Sequence, residues 1–215
     1  GQNNLKLYKK ISDMGIPIVF YDRTFSGEIK FDSVTVDNKD SIIQAIKYLK
    51  DKGHKDIAIF LSKSGIYTIE KRLEGFLEGC KLLGIPINDS WICKDLFPEE
   101  KTFLTLKKLK ENKKLPTAII ATNNKITKQL ISASKQLNIS VPETLSIVGY
   151  DDLPENEIIK PSVTCIKQPV FEIGRISATI LLEKVENNVS EPTKIVLKTE
   201  IIERESVCDL NNNSV

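Results

Sequence analysis

Three features of this sequence predict an α/β fold with doubly wound, mostly parallel sheets. Short β-branched apolar runs recur along the chain, each the length of a fully buried strand. Segments with helical apolar spacing separate them. Gly, Pro, Asn and Asp punctuate the joins. Such alternation builds βαβ units, whose crossovers are right-handed.

The elements follow in order. Residues 4–14 have helical spacing, and Gly15 supplies a C-terminal stop. Ile16 to Tyr21 reads as a buried strand ending at Asp22, and Val34 to Val36 as a short one. Asp37 or Asn38 can cap a helix to about Lys52, with Ile42, Ile43, Ile46 and Leu49 on its inner face. Gly53-His54 ends it, and Ile57 to Leu61 is the next strand. Residues 68–83 form a helix stopped at Gly84 and Pro86, and Ile92 lies in a weak strand. Pro98 opens a helix to about Asn112, Ala118 to Ala121 is a strand, and a helix runs from about Asn124 to Leu137. Val170 to Val185 is a long amphipathic helix, Ile195 to Leu197 and Ile201-Ile202 are closing strands, and residues 207–215 read as a polar, frayed tail. The chain opens on a helix that needs a strand before it, so one or two βα units are expected to precede Gly1.

Composition narrows the function. The 215 residues are 40% hydrophobic and 28% charged, as in ordinary globular proteins. A net charge of +2 provides no general basic field for nucleic acid. No apolar run reaches the ~20 residues of a membrane span. Cys80, Cys93, Cys165 and Cys208 are scattered without a C-x-x-C pair, which reads as reduced thiols of a cytoplasmic protein rather than a zinc or disulfide site. His54 is the only histidine, which removes most metal and triad chemistry. No cofactor is indicated. No G-x-G-x-x-G, P-loop or G-x-S-x-G elbow occurs, so an enzyme is not expected.

The stretch from Val141 to Pro169 carries most information. Leu145 to Val148 forms a buried strand that ends in Gly149, Tyr150, Asp151 and Asp152, and a second strand, Ser162 to Lys167, runs into Gln168-Pro169. Ligands of open α/β sheets bind outside the carboxyl ends of the strands. Two acids placed there serve either a polar ligand or the cap of the next helix.

GIPIVFYDR (Gly15 to Arg23), VTVDN (Val34 to Asn38), YLKDKGHKDIAIF (Tyr48 to Phe60), KRLEGF (Lys71 to Phe76), LPTAIIATNN (Leu115 to Asn124), VPETLSIVGYDDLP, PSVTCIKQP, IGRISATILLEKV (Ile173 to Val185) and IIERES (Ile201 to Ser206) occur in one order. In that order and spacing the chain resembles the effector-binding region of LacI/GalR-family transcriptional repressors, which share the fold of periplasmic sugar-binding proteins. The resemblance implies two lobes with a ligand cleft between them. Residues 1–53 and 169–194 map to the N-terminal lobe, present in part, and 55–166 and 195–206 to the C-terminal lobe. It also implies a homodimer, a sugar-like effector, and operator DNA contacted only through a helix-turn-helix domain that is not among these residues. A periplasmic or lipid-anchored sugar-binding protein of a transporter is the rival reading, since it shares the fold.

Site residues follow from the same resemblance, each beside a plainer role. Asp151 would accept hydrogen bonds from paired sugar hydroxyls, or cap a turn; Asp152 reads as the structural acid. Arg72, the arginine of R-x-x-G-F, would reach the cleft, or snorkel beside the core. Asn123 would bond ligand, or cap the following helix; the family's usual Asn-Asp pair reads Asn123-Asn124 here, and Thr127 and Gln129 replace small residues. Asp22 would face the cleft, or pair with Arg23. Gln168 would contact ligand or satisfy backbone groups, and Phe97 would stack on a sugar ring or pack in the core. His54 reads as structural.

Overall fold

The computed structural model describes residues 4–23, 31–96, 98, 100–187 and 191–211. Along the chain run α1 (Leu5–Asp13), β1 (Val19–Tyr21), β2 (Asp32–Val36), α2 (Asn38–Asp51) and β3 (Ile57–Phe60). Next come α3 (Tyr67–Leu83), β4 (Ile92–Cys93), α4 (Glu100–Glu111), β5 (Ala118–Ala121) and α5 (Asn124–Gln136). The chain closes with β6 (Ser146–Tyr150), β7 (Thr164–Lys167), α6 (Val170–Asn187), β8 (Lys194–Leu197) and β9 (Glu200–Ile202). The anticipated order of strands and helices is present; β1 starts later than expected, after Pro17, which has no N–H to give a ladder.

The chain divides into two compact units, each assembled from separate stretches. Unit 1 takes Gly1–Asp37, Ile66–Thr68 and Gln168–Thr199; unit 2 takes Asn38–Gly65, Ile69–Lys167 and Glu200–Val215.

Unit 1 contains a parallel three-stranded sheet in the order β1-β2-β8. Helix α6 covers it because Ile173, Ile176 and Ile180 recur on one helical face and meet Val34, Val36, Ile195 and Leu197. Lys184 reaches Asp32 at 3.2 Å, with both side chains only 9% exposed. Asp32 also accepts from the Thr193 N–H at 2.7 Å, so the buried carboxylate is hydrogen-bonded as well as paired. Tyr8 of α1 meets Phe20 edge-on, and Phe20 meets Phe31 in the same way.

Unit 2 contains a six-stranded sheet in the order β4-β3-β5-β6-β7-β9, parallel except for β9, which runs antiparallel to β7. Every residue of β3, β5 and β6 is buried, which is why these strands read as continuous apolar runs. Alternation sends Ala58, Phe60, Ile119, Ala121 and Ile147 to one face, packed with Leu106 of α4 and Ile126 and Leu130 of α5. The alternate residues, Tyr150 among them, face α2 and α3.

Two boundaries differ from the sequence expectation. Residues 38–53 group with unit 2, because α2 lies directly on α3: a Cβ on Gly75 would come within 2.4 Å of the Lys39 carbonyl oxygen. Ile195 to Leu197 belong to unit 1, where β8 pairs with β2. The supposed frayed tail also differs as far as Asn211. The Cys208 N–H donates to Ser146 Oγ, the Leu210 N–H to the Lys52 carbonyl, and Asn211 to the Asp51 carbonyl. Residues 212–215 lie outside the described residues. No described helix is long and apolar enough to cross a membrane.

The α2–α3 approach makes a test of this packing. Gly75→Ala is expected to lower the unfolding free energy by about 1–3 kcal/mol, the usual cost of overpacking. Gly174→Ala in α6, where an added methyl meets nothing within 4 Å, is expected to raise it by about 0.5–1 kcal/mol through helix propensity. Urea denaturation of both variants measures the contrast.

Candidate functional site

The carboxyl ends of β5 and β6 bring together most of the anticipated polar residues of unit 2. Arg72 projects from α3 and is only 4% exposed. Its guanidinium stacks on the Tyr150 ring, 3.4 Å from the centroid. Nε donates to Asn38 Oδ1 at 2.8 Å and Nη1 to the Thr122 carbonyl at 2.6 Å. The snorkelling alternative does not describe this side chain, which is buried with its charge rather than extended to water.

Tyr150 is fully buried, and its hydroxyl donates to Asn38 Oδ1 at 3.3 Å and lies 3.0 Å from Ser41 Oγ. Burial pushes the phenol pKa up, against the Arg72 charge that pulls it down. The hydroxyl therefore stays protonated at neutral pH.

Asp151 follows at once and adopts a left-handed backbone, φ 70°. That region is sparse for residues other than glycine, although Asp tolerates it, and such conformations cluster at binding sites. Its N–H donates to the Ile166 carbonyl at 2.9 Å. With the Asn124 amide assigned so that its nitrogen faces the neighbouring acceptors, it donates to the carbonyls of Tyr150 (3.1 Å) and Asp151 (3.0 Å). Asn123 does cap α5: its Oδ1 accepts from the Ile126 N–H at 2.9 Å. Thr127 fits because Gly149 opposite it has no Cβ, and Gln129 accepts from Thr102 Oγ1 at 2.7 Å.

Asp152 separates from its neighbour. It binds Arg204 at 2.9 Å and Asn156 at 2.8 Å. Burial opposes its ionisation, but the bonds from Arg204 and Asn156 outweigh that and hold the carboxyl below the usual range. Arg204 also donates to the Val163 carbonyl, so one side chain ties β9 to the segment entering β7 and to the loop after Asp151.

In unit 1, Asp22 ends β1 with φ 61° and pairs with Arg23 at 3.7 Å, the plainer of its two anticipated roles. Gln168 precedes α6 and its carbonyl accepts from the Val170 N–H. Phe97 lies outside the described residues. Sequence reasoning missed Asn38, Ser41 and Thr122 as partners of this site. Only Asn38 had a signal, and it pointed to a helix cap.

Comparison with known proteins shows the family and the fold. Residues 46–207 match the periplasmic binding protein-like domain family. The probable HTH-type transcriptional regulator EndR of Paenibacillus polymyxa is 33% identical over 98% of this chain and 63% of its own length. The HTH-type transcriptional repressor PurR of Haemophilus influenzae (strain ATCC 51907 / DSM 11121 / KW20 / Rd) is 31% identical over 96% of this chain and 61% of its own. The chain belongs to the LacI/GalR family. It resembles that family's effector-binding region, and it spans less than two thirds of the length of these curated relatives. A LacI family transcriptional regulator from Enterococcus faecium, solved with bound ribose, superposes with TM-score 0.83 at 26% identity, over 95% of this chain and 75% of that one.

Within this LacI/GalR-family chain no described group of His, Cys, Asp and Glu is arranged to hold a metal ion. Burial pushes the thiols of Cys80, Cys93 and Cys165 up to about 11, 12 and 11. His54 is buried between Thr117 Oγ1 (3.0 Å) and the Cys208 carbonyl (3.1 Å), which gives it the expected structural role.

Burial lowers the His54 pKa, so the folded protein holds the ring neutral. The stability this contributes is complete above the unfolded-state pKa of about 6.5 and is lost as pH falls toward the depressed folded value. Between pH 7.5 and 5.5 the unfolding free energy is expected to drop, by at most about 1.4 kcal/mol per pH unit. His54→Gln removes that dependence; urea denaturation at the two pH values measures it.

Proposed function

We propose that this chain senses a small sugar or sugar-like metabolite for a bacterial transcriptional regulator and is not an enzyme. The observation that carries the reading is the juxtaposition of Arg72, Asn123 and Asp151 at the carboxyl ends of β5 and β6, on a scaffold shared with a ribose-bound relative. Guanidinium and amide N–H groups donate while a carboxylate accepts, the complement that vicinal hydroxyls require. Asp22, Gln168 and Phe97 remain proposed ligand contacts. Burial keeps His54 neutral and raises the thiols of Cys80, Cys93 and Cys165, which suits structural rather than nucleophilic roles for these four residues.

Binding would favour one of two states of the regulator by its differential affinity for them. A DNA-binding domain of the whole protein would convert that preference into operator occupancy. The regulator names of the relatives support this over the rival transporter-binding reading. The cytoplasmic location follows from the same reading.

Ribose at a hundredfold excess over its Kd is expected to add about 2.7 kcal/mol, raising Tm by roughly 5–10 °C. Asp151→Asn keeps a residue that tolerates positive φ, so it should retain the fold and lose that shift. A screen of sugars and nucleobases by thermal shift extends the test. Stabilisation by nucleobases alone would overturn the sugar reading, and an undiminished shift in Asp151→Asn would overturn the site.

We also propose that the chain works as a homodimer. A groove of about 470 Å³ between α4 and α5 has Phe103, Leu104 and Ala133 in its lining, together with Glu100, Gln129, Ser132 and Gln136, with Leu104 58% exposed. Apolar grooves of this kind mark association surfaces. Leu104→Glu is expected to shift the mass measured by light scattering from dimer to monomer.

A further inference from the structure

The Arg72 guanidinium is useful to a ligand only if its plane is fixed, because its donors form a rigid fork. Stacking on Tyr150 fixes the plane, but stacking alone permits rotation within it. Two bonds stop that rotation. Thr122 holds Nη1 at 2.6 Å and Asn38 Oδ1 holds Nε at 2.8 Å. Asn38 Oδ1 in turn receives the Tyr150 hydroxyl at 3.3 Å, and that hydroxyl lies 3.0 Å from Ser41 Oγ. Ser41 Oγ donates to the Asn38 carbonyl at 2.9 Å, closing the set on the first turn of α2. Asn38, Ser41, Arg72 and Tyr150 are all buried.

We propose that Asn38 and Tyr150 are positioning residues for Arg72: Oδ1 of Asn38 sets the in-plane orientation of the guanidinium, and the Tyr150 hydroxyl sets the orientation of Asn38. Neither needs to touch the ligand. The role of Arg72 in ligand binding rests on the function proposed above; the positioning does not. Asn38 is also the residue at which the chain enters unit 2 from Asp37 of unit 1. The orientation of Arg72 is therefore tied to the start of α2.

The test uses the Arg72 Nε–H resonance in nitrogen-15 NMR, assigned by its loss in Arg72→Lys. Hydrogen exchange of this proton is expected to accelerate at least tenfold in Asn38→Ala and to return near the original rate in Asn38→Asp. The aspartate keeps the acceptor oxygen but not the amide donor. A merely structural role for the Asn38 amide would not be rescued by Asp. Tyr150→Phe keeps the stacking ring, removes only the hydroxyl, and should give an intermediate rate, which covers the case in which Asn38→Ala fails to fold. Ribose affinity should fall about tenfold in Asn38→Ala and recover in Asn38→Asp.

Unchanged exchange in both Asn38→Ala and Tyr150→Phe overturns the positioning role, as does faster exchange that Asn38→Asp does not reverse. Failure of the unsubstituted protein to bind ribose counts against the ligand reading instead, and the exchange rates still decide the positioning.

Discussion

Arg72 brings into the interior of unit 2 a charge that water cannot solvate, and such a charge is costly unless its donors are occupied. The Asn38 side chain and the Thr122 carbonyl each take one of its five donors, and the Tyr150 ring lies against its face. They come from the start of α2, the end of β5 and the end of β6. Correct placement of one side chain therefore demands that three elements meet at one edge of the sheet. The same edge presents Asp151 and Asn123.

The parallel sheet explains why this edge is available. β3, β5 and β6 are buried on both faces, so a functional group cannot enter through the middle of a strand without losing core packing. Strand ends are free of that constraint, and their backbones can turn sharply. Asp151 does so through a left-handed conformation while its N–H still bonds to the Ile166 carbonyl of β7. The next residue turns away toward Arg204. Adjacent carboxylates are thereby given different work: Asp152 is neutralised within the fold, and Asp151 stands at the sheet edge.

Much of this was legible from residue type and period. The buried strands show as β-branched runs, and the helices show in their apolar spacing, as with Ile173, Ile176 and Ile180. What the sequence concealed lies in contacts between distant segments. Asn38 looks like a helix cap because its pairing with Arg72 links residues far apart in the chain. The allocation of α2 was obscured for the same reason, since only the nearness of Gly75 to Lys39 shows which neighbour the helix packs on. Asp209 to Asn211 have the composition of a tail, yet the Leu210 N–H and the Asn211 side-chain amide bond to carbonyls at the end of α2, and composition does not register those bonds.

The Asn123-Asn124 pair shows how a departure from a family pattern acquires a physical reason. The first asparagine is committed through Oδ1 to the N-terminus of α5. The second supplies two amide protons to the carbonyl oxygens of Tyr150 and Asp151. An ionised aspartate at that position has no proton to give and would set a negative charge against two acceptors about 3 Å away. The amide instead stabilises the backbone where it bends into the left-handed region, between Tyr150, which stacks on Arg72, and Asp151. Seen this way, Asn124 belongs to the support of the site. An amide at this position can donate to the carbonyls of Tyr150 and Asp151, which a carboxylate cannot do.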